Sequence, residues 1–281
     1  MRKLTSLLMA GVTPGRKPVS LDRWNRALVT GASSGIGNSF ARLLAANGSD
    51  LIVVARDEAR LRALAAELES KDNISVEVLV ADLSDRSQLA EVAHRLQSVT
   101  SPVDLLINNA GFGFSGDFVE LDPFLETSVV DVNVGAMHRL AHAAGTAMSA
   151  RGHGGIINVS SVAGFGPSPK AATYAATKAF VTSFSESLHM ELGPLGVVVS
   201  CLCPGLTKTE FQERANFDVP SVPAALWQSP DVVAEAGLRG LAKGKAVVVP
   251  GAQNKALQAA MKASPAALVR RASKKMADSV K

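Results

Sequence analysis

RALVTGASSGIGNSFARLLAAN, residues 26–47, reads as a strand, a glycine turn and a helix in immediate succession. Residues 26–30 are an apolar run of strand length, and NSFARLLAAN repeats its apolar residues at helical spacing. Between them Gly31, Gly35 and Gly37 follow the pattern G-x-x-x-G-x-G, with Ser33, Ser34 and Ile36 among the intervening positions. Glycine lets the backbone turn tightly, and a helix that starts there points its first N–H groups at an anion seated on the turn. A glycine cluster alone is only a turn. With a strand before it and a helix after it, the cluster predicts a seat for a dinucleotide pyrophosphate, with Gly31, Ser33, Ser34, Gly35, Ile36 and Gly37 as candidate ligands.

The same rhythm continues along the chain. DLIVVA (50–55), ISVEVLV (74–80), VDLLIN (103–108), GIINVS (155–160), VVVSCLC (197–203) and AVVV (246–249) are further apolar runs of strand length. Helical segments separate them: EARLRALAAELES, SQLAEVAHRLQS, a long region from Pro123 to about Ala150, the segment carrying Tyr174 as far as Leu192, and a helix from Asp231. Apolar strands alternating with amphipathic helices predict an α/β fold. We expect a single doubly wound domain whose seven-stranded, mainly parallel sheet carries helices on both faces. This domain is placed at residues 26–250, with a basic N-terminal arm at 1–25 and a basic helical C-terminal tail at 251–281.

With 281 residues, 47 % of them hydrophobic and 19 % charged, the chain has the composition of a globular protein and not of a disordered one. Its formal charge of +4 is unevenly spread: residues 1–26 carry +5 and residues 251–281 carry +6, which leaves residues 27–250 at −7. A basic tail permits weak contact with a membrane surface, whereas the body has no basic stripe interleaved with aromatics and predicts no nucleic-acid partner. Cys201 and Cys203, the only cysteines, stand two apart in an apolar strand, too far for an easy disulfide. Buried free thiols and a reducing, cytoplasmic location follow. No apolar run approaches the ~18 residues of a membrane span, and MRKLTSLLMAGV lacks the small-residue cleavage site of a signal peptide.

Ligands of a doubly wound sheet gather at the carboxyl ends of its strands, so residues just past those ends are candidates. Arg56 and Asp57 follow the second strand. An acid there suits a ribose 2′-hydroxyl and hence NAD, an arginine suits a 2′-phosphate; Arg56 comes first, and NADP is expected ahead of NAD. After the third strand, Asp82 can accept from an adenine amino group or cap the next helix, and Leu83 follows it. Asn109, Ala110 and Gly111 end the fourth strand, where small residues let a cofactor approach the backbone. Pro204, Gly205 and Thr207 follow the sixth.

Tyr174, the only tyrosine, and Lys178 stand four apart in the alanine-rich run AATYAATKAF, which places both on one helix face. An ammonium beside a phenol favours the phenolate and lowers its pKa from about 10, which suits proton transfer to or from a substrate oxygen.

TGASSGIG (30–37), NNAG (108–111), Asn133, the serine pair at 160 and 161, YAATK (174–178) and PG (204–205) together resemble the short-chain dehydrogenase/reductase family over residues 26–250. The resemblance implies a Rossmann fold, a nicotinamide cofactor and a catalytic tetrad. In it Tyr174 is the general acid or base, and Lys178 lowers its pKa and holds the nicotinamide ribose. Ser161 bonds the substrate carbonyl, Asn133 holds the water that relays protons through Lys178, and Thr207 touches the nicotinamide carboxamide. Ser160 points to the other side of the strand end.

His138 and His142 share a metal-like spacing of four but have no third ligand nearby, and no metal site is expected. Phe112, Phe114, Phe165, Phe211, Phe217 and Trp227 follow strands four, five and six, and predict an apolar substrate pocket with residues 206–228 as a mobile lid. The expectation is an NADP(H)-dependent oxidoreductase acting on a ketone or secondary alcohol of an apolar small molecule, oxoacyl or steroid-like, in a homo-oligomer, dimer or tetramer. The alternative is a catalytically silent NADP-binding sensor or assembly protein on the same fold. The tail QNKALQAAMKASPAALVRRASKKMA is read as helices that dock on a membrane or another subunit.

Overall fold

Strand β1 (Arg26–Thr30) passes into helix α1 (Gly35–Ala46) across a turn in which Gly31 adopts φ +66°. The computed structural model describes residues 24–215 and 223–279; the N-terminal arm through residue 23, Phe217 and the middle of the expected lid lie outside the described residues. From α1 the chain alternates strand and helix: β2 (Asp50–Ala55), α2 (Glu58–Asp72), β3 (Val76–Val80), α3 (Arg86–Leu96) and β4 (Leu105–Asn108). There follow α4 (Pro123–Val130), α5 (Met137–Arg151), β5 (Gly154–Val159), α6 (Ala172–Leu192), β6 (Val197–Leu202), the short α7 (Phe211–Arg214), α8 (Pro230–Ala242) and β7 (Val247–Val248). Helices α9 (Ala252–Ala263) and α10 (Ala266–Ser279) close the described chain.

The sheet order is β3-β2-β1-β4-β5-β6-β7 with every pairing parallel. The order reverses between β1 and β4, which opens the crevice where such sheets bind ligands. Alternate strand residues feed opposite cores. Val29, Val53 and Ile107 meet Phe40, Leu44, Leu61 and Leu238 of α1, α2 and α8. Leu28, Ile52, Leu106 and Ile156 meet Val92, Leu96, Leu140 and Met148 of α3 and α5. Because both faces are covered, the strands read as unbroken apolar runs. The edge strands β3 and β7 are shorter than expected, since pairing on one side only holds fewer residues in register.

The long helical region expected from Pro123 is interrupted. Residues Asp131–Ala136 form a π turn between α4 and α5, with the i→i+5 bonding that appears mostly as single turns at functional sites. The extra residue turns Asn133 inward, where it is 1 % exposed.

Candidate active site

Two loops at the crevice are stitched together by one hydroxyl. Thr30, at the end of β1, donates through Oγ1 to the Ile107 carbonyl (3.3 Å) and accepts from the amides of Asn109 (3.0 Å) and Ala110 (2.9 Å). The Asn109 side chain returns the contact, donating to the Thr30 carbonyl (2.9 Å). Asn109 thus sets the loop that carries Ala110 and Gly111. Thr30 was missed as a candidate; its only signal is its place immediately before the glycine turn. Ser34 occupies the cap position of α1 in extended conformation, but its side chain caps nothing, which leaves the first amides of α1 facing the crevice beside Gly35. Ser33 is half-buried on the turn, and Ile36 packs against the core.

On the far side of the turn Arg56 is largely exposed and lies 3.7 Å from Asp82 Oδ2. Burial works to raise the Asp82 carboxyl, but hydrogen bonds from the Ser84 hydroxyl and amide and the charge of Arg56 outweigh it and hold the group below its ordinary range. Helix α3 is capped by Asp85, which accepts from Ser87 (2.8 Å) and Gln88 (2.9 Å), so the capping alternative for Asp82 is corrected. Asp57, weighed as a ribose partner, caps α2 by accepting from the Arg60 amide at 3.0 Å. Leu83, expected at the cofactor, turns its side chain into the α3 and α5 core at 8 % exposure.

Ser161 and Tyr174 meet across the end of β5. The Ser161 hydroxyl is near enough to the phenol to draw its pKa down, and it accepts from the Ala163 amide (3.2 Å), which caps a single turn at Val162–Phe165. Ser160 faces the other way, donating to the Lys178 carbonyl at 2.7 Å. Asn133 is clamped: its Nδ2 donates to the Phe112 carbonyl (2.8 Å) and to Thr177 Oγ1 (3.1 Å), and its Oδ1 accepts from the Phe112 amide (3.1 Å). Its amide, expected to hold a relay water, is engaged with protein partners at both atoms.

The expected effect of Lys178 on Tyr174 needs correction. Lys178 Nζ donates to the Val159 carbonyl at 3.0 Å and sits 5.6 Å from the centre of the phenol ring, drawn to the strand end and not to the phenol oxygen. Burial dominates both groups. It pushes the Tyr174 phenol up to about 12, against the smaller lowering from Ser161, and it pulls the Lys178 ammonium down to about 8. Because no second tyrosine exists, ultraviolet titration reads this phenol alone. The folded protein should show no phenolate absorbance at pH ~10, where a free phenol is half-ionised. A midpoint at or below that value would show that the lysine charge dominates burial.

Around this centre the aromatic residues divide. Phe211 lies 5.4 Å from the Tyr174 ring, and Phe112 packs edge-on against Phe114 at 5.8 Å. The Tyr174 ring also packs against Gly113, where a Cβ would come within 2.6 Å of Cδ2; sequence reasoning gave no role to that glycine. Phe165 joins the core between α5, α6 and β6. Trp227 lines a groove of about 620 Å³ with Gly35, Lys208, Thr209 and Pro230. Thr207 is buried and donates to the Gly205 carbonyl (3.0 Å), while the Pro204 carbonyl accepts from Val162. Past Thr207 the chain bridges the crevice, with Glu210 accepting from Arg60 of α2 at 2.9 Å.

Other clusters stand apart. His138 lies against Phe184 (5.2 Å), and His142 faces a groove with His94 and Arg139. Among the described residues no group of three or more His, Cys, Asp or Glu is placed to hold a metal. Cys201 and Cys203 are buried free thiols with sulfurs 3.6 Å apart. Among the described residues no helix is long and apolar enough to cross a membrane.

Comparison with known proteins places this arrangement. A short-chain dehydrogenase from Sphingobium yanoikuyae, solved in complex with NADPH, superimposes with a TM-score of 0.76 at 38 % identity, over 85 % of this chain and 96 % of that one. The bulky-bulky ketone specific alcohol dehydrogenase from Comamonas testosteroni, in its orthorhombic crystal form, gives 0.74 at 35 % identity, over 86 % and 96 %. Nodulation protein G of Rhizobium sp. (strain N33) is 35 % identical over 191 residues, 68 % of this chain and 76 % of that protein. The sequence profile described as short chain dehydrogenase matches residues 25–219. Since that match spans most of the chain and takes in both the glycine turn and the Tyr174 helix, the chain belongs to the short-chain dehydrogenase family.

Proposed function

We propose that the protein is an NADP(H)-dependent oxidoreductase that interconverts a ketone and a secondary alcohol on an apolar small molecule. The observation that carries this reading is the neighbouring pair Ser161 and Tyr174, with Lys178 beneath it, at the sheet edge that also holds the uncapped start of α1. The residues present fit a dinucleotide. At Gly37 a Cβ would lie 2.2 Å from the Gly31 carbonyl oxygen, so glycine lets α1 begin directly against the turn, and no side chain caps its first amides.

In this reading α1 and residues 31–37 bind the pyrophosphate, Arg56 takes the 2′-phosphate, and Asp82 faces the adenine. Ala110, Gly111, Pro204, Gly205 and Thr207 line the nicotinamide end, and Lys178 holds its ribose. A bound nicotinamide supplies the hydride. As charge grows on the substrate oxygen, the Ser161 hydroxyl and the phenol both donate to it, and Tyr174 passes its proton across. The buried ammonium of Lys178 steadies the phenolate left behind. Phe211 and the Phe112–Phe114 pair give the site its apolar wall. The Sphingobium protein with its NADPH, and the Comamonas enzyme with its bulky ketone preference, support the reading. Self-association belongs to it too: α4 exposes Phe124, Leu125 and Val130, and α6 exposes Phe180 and Met190, apolar surface that a second copy would cover.

The test is a panel of apolar ketones and secondary alcohols assayed with NADPH and with NADH through nicotinamide absorbance. Turnover that is faster with NADPH is expected, and none across the panel despite tight NADPH binding would overturn the catalytic reading. In the same assay Arg56→Ala should lower kcat/KM for NADPH roughly 10- to 100-fold, the loss of charge-assisted hydrogen bonds of about 1.5–3 kcal/mol. NADH should be little affected. An equal loss with both cofactors would remove Arg56 from the phosphate.

A further inference from the structure

We infer that helices α9 and α10 form a docking surface for an anionic lipid bilayer, set at the rim of the substrate site. Their inward residues fasten them there. Asn254 of α9 is 8 % exposed and donates to the Gln228 side chain (3.1 Å) and the Pro250 carbonyl (2.7 Å). Met261 and Val269 press on Gly166, where a Cβ would meet Met261 Cε at 2.4 Å and Val269 Cγ1 at 3.4 Å. Gly166 ends the turn that Ser161 caps, so the pair is anchored beside the substrate oxygen's hydrogen-bond donor.

The outward residues are of a different kind. Lys255, Lys262, Arg270, Arg271, Lys274 and Lys275 are all exposed, and among the described residues none of them forms an ion pair. Several helix-surface cations elsewhere pair with acids one turn away, as Arg62 with Glu58 on α2 (2.7 Å) and Arg239 with Glu235 on α8 (2.5 Å). The tail has one acid, Asp278, for its seven cations, so at most one of them can be matched in this way. Between the cations Leu257 (46 % exposed) and Leu268 (55 %) project into solvent, on a background of alanine. Unpaired cations around projecting leucines match the headgroup and acyl boundary of an anionic bilayer. The acidic body of a second copy would also answer the charge, and the mass of the assembly separates that occupant from a bilayer. The advantage of this placement, direct entry of an apolar substrate from the bilayer, rests on the proposed function; the docking surface itself does not.

The full-length protein is floated with vesicles of phosphatidylglycerol mixed with phosphatidylcholine, or of phosphatidylcholine alone, without substrate, so that the outcome is independent of turnover. Binding to the anionic vesicles at low salt is expected, with release at ~1 M salt, where the screening length shrinks to about 3 Å. The variant Arg270→Gln, Arg271→Gln, Lys274→Gln, Lys275→Gln should lose at least about tenfold in partitioning. Leu257→Ala with Leu268→Ala should weaken it as well. Unchanged NADPH affinity shows that the variants are folded. Equal binding to neutral vesicles overturns the proposal, and so does undiminished binding of anionic vesicles by the quadruple variant, which moves the lipid contact to the basic N-terminal arm. Absent lipid binding overturns it, and a mass of the assembly that falls in the quadruple variant assigns the surface to a second copy.

Discussion

Replacing Tyr174 with phenylalanine is expected to lower ketone reduction about a thousandfold while leaving NADPH affinity in place, since a positioned general acid is worth ~10²–10⁴-fold. The substitution removes one oxygen and little else. The ring keeps its bed on Gly113 and its contact with Phe211 at 5.4 Å. Ser161 keeps the Ala163 amide at 3.2 Å, so the turn that positions it stays formed. The folding cost is at most that of a single hydrogen bond, about 1 kcal/mol. Burial adds a pH signature. The phenol, held at about 12, keeps its proton throughout the working range, whereas Lys178, lowered to about 8, is charged below that pH and neutral above it. Reduction by the parent should therefore be flat below pH 8 and fall above it, as the ammonium that steadies the new phenolate is lost. The residual rate of Tyr174→Phe should lack that falling limb. Initial rates across pH, with NADPH binding followed by fluorescence, check both expectations; a variant that keeps a tenth of the rate, or the same limb, would remove Tyr174 from the acid role.

Much of the fold is legible in the sequence because both faces of the sheet are covered. Strands such as β1 and β2 must then be apolar throughout, and their limits coincide with the runs RALVT and DLIVVA. The features that escape a sequence reading depend on contacts between distant residues. DVNVGA carries no mark of a π turn, because what holds it is the clamp between Asn133 and the backbone of Phe112. Helical spacing puts Tyr174 and Lys178 on one face, but it does not reveal that the lysine will reach for the Val159 carbonyl, or that burial will set both pKa values. Asp82 and Asp85 both precede α3, and only the path of the loop decides that Asp85 is its cap. Thr30 looks like the last residue of a strand until its hydroxyl is seen to hold the amides of Asn109 and Ala110.

The second large effect is expected at Gly37, where alanine should weaken NADPH binding about 100-fold, the scale of loss that follows ~1 Å misplacement of a binding group. A Cβ there would lie 2.2 Å from the Gly31 carbonyl oxygen and 2.5 Å from Asn109 Nδ2, closer than real Cβ contacts come. Neither neighbour is free to retreat. Gly31 is held at φ +66° with its amide donated to the Val54 carbonyl at 2.8 Å, and Asn109 Nδ2 is bonded to the Thr30 carbonyl at 2.9 Å. Helix α1 must therefore lift from the turn, and its first amides are the ones assigned to the pyrophosphate. Overpacking of this kind costs about 1–3 kcal/mol of stability, which urea denaturation would read directly. Gly193→Ala is the matched control, because a Cβ at Gly193 meets nothing within 4 Å. If Gly37→Ala lost stability but bound NADPH as the parent does, the turn would be a structural device and the pyrophosphate would have to sit elsewhere along the crevice. Loss of affinity beyond the loss of stability, with Gly193→Ala unchanged in both, would tie the glycine spacing at 31–37 to cofactor binding.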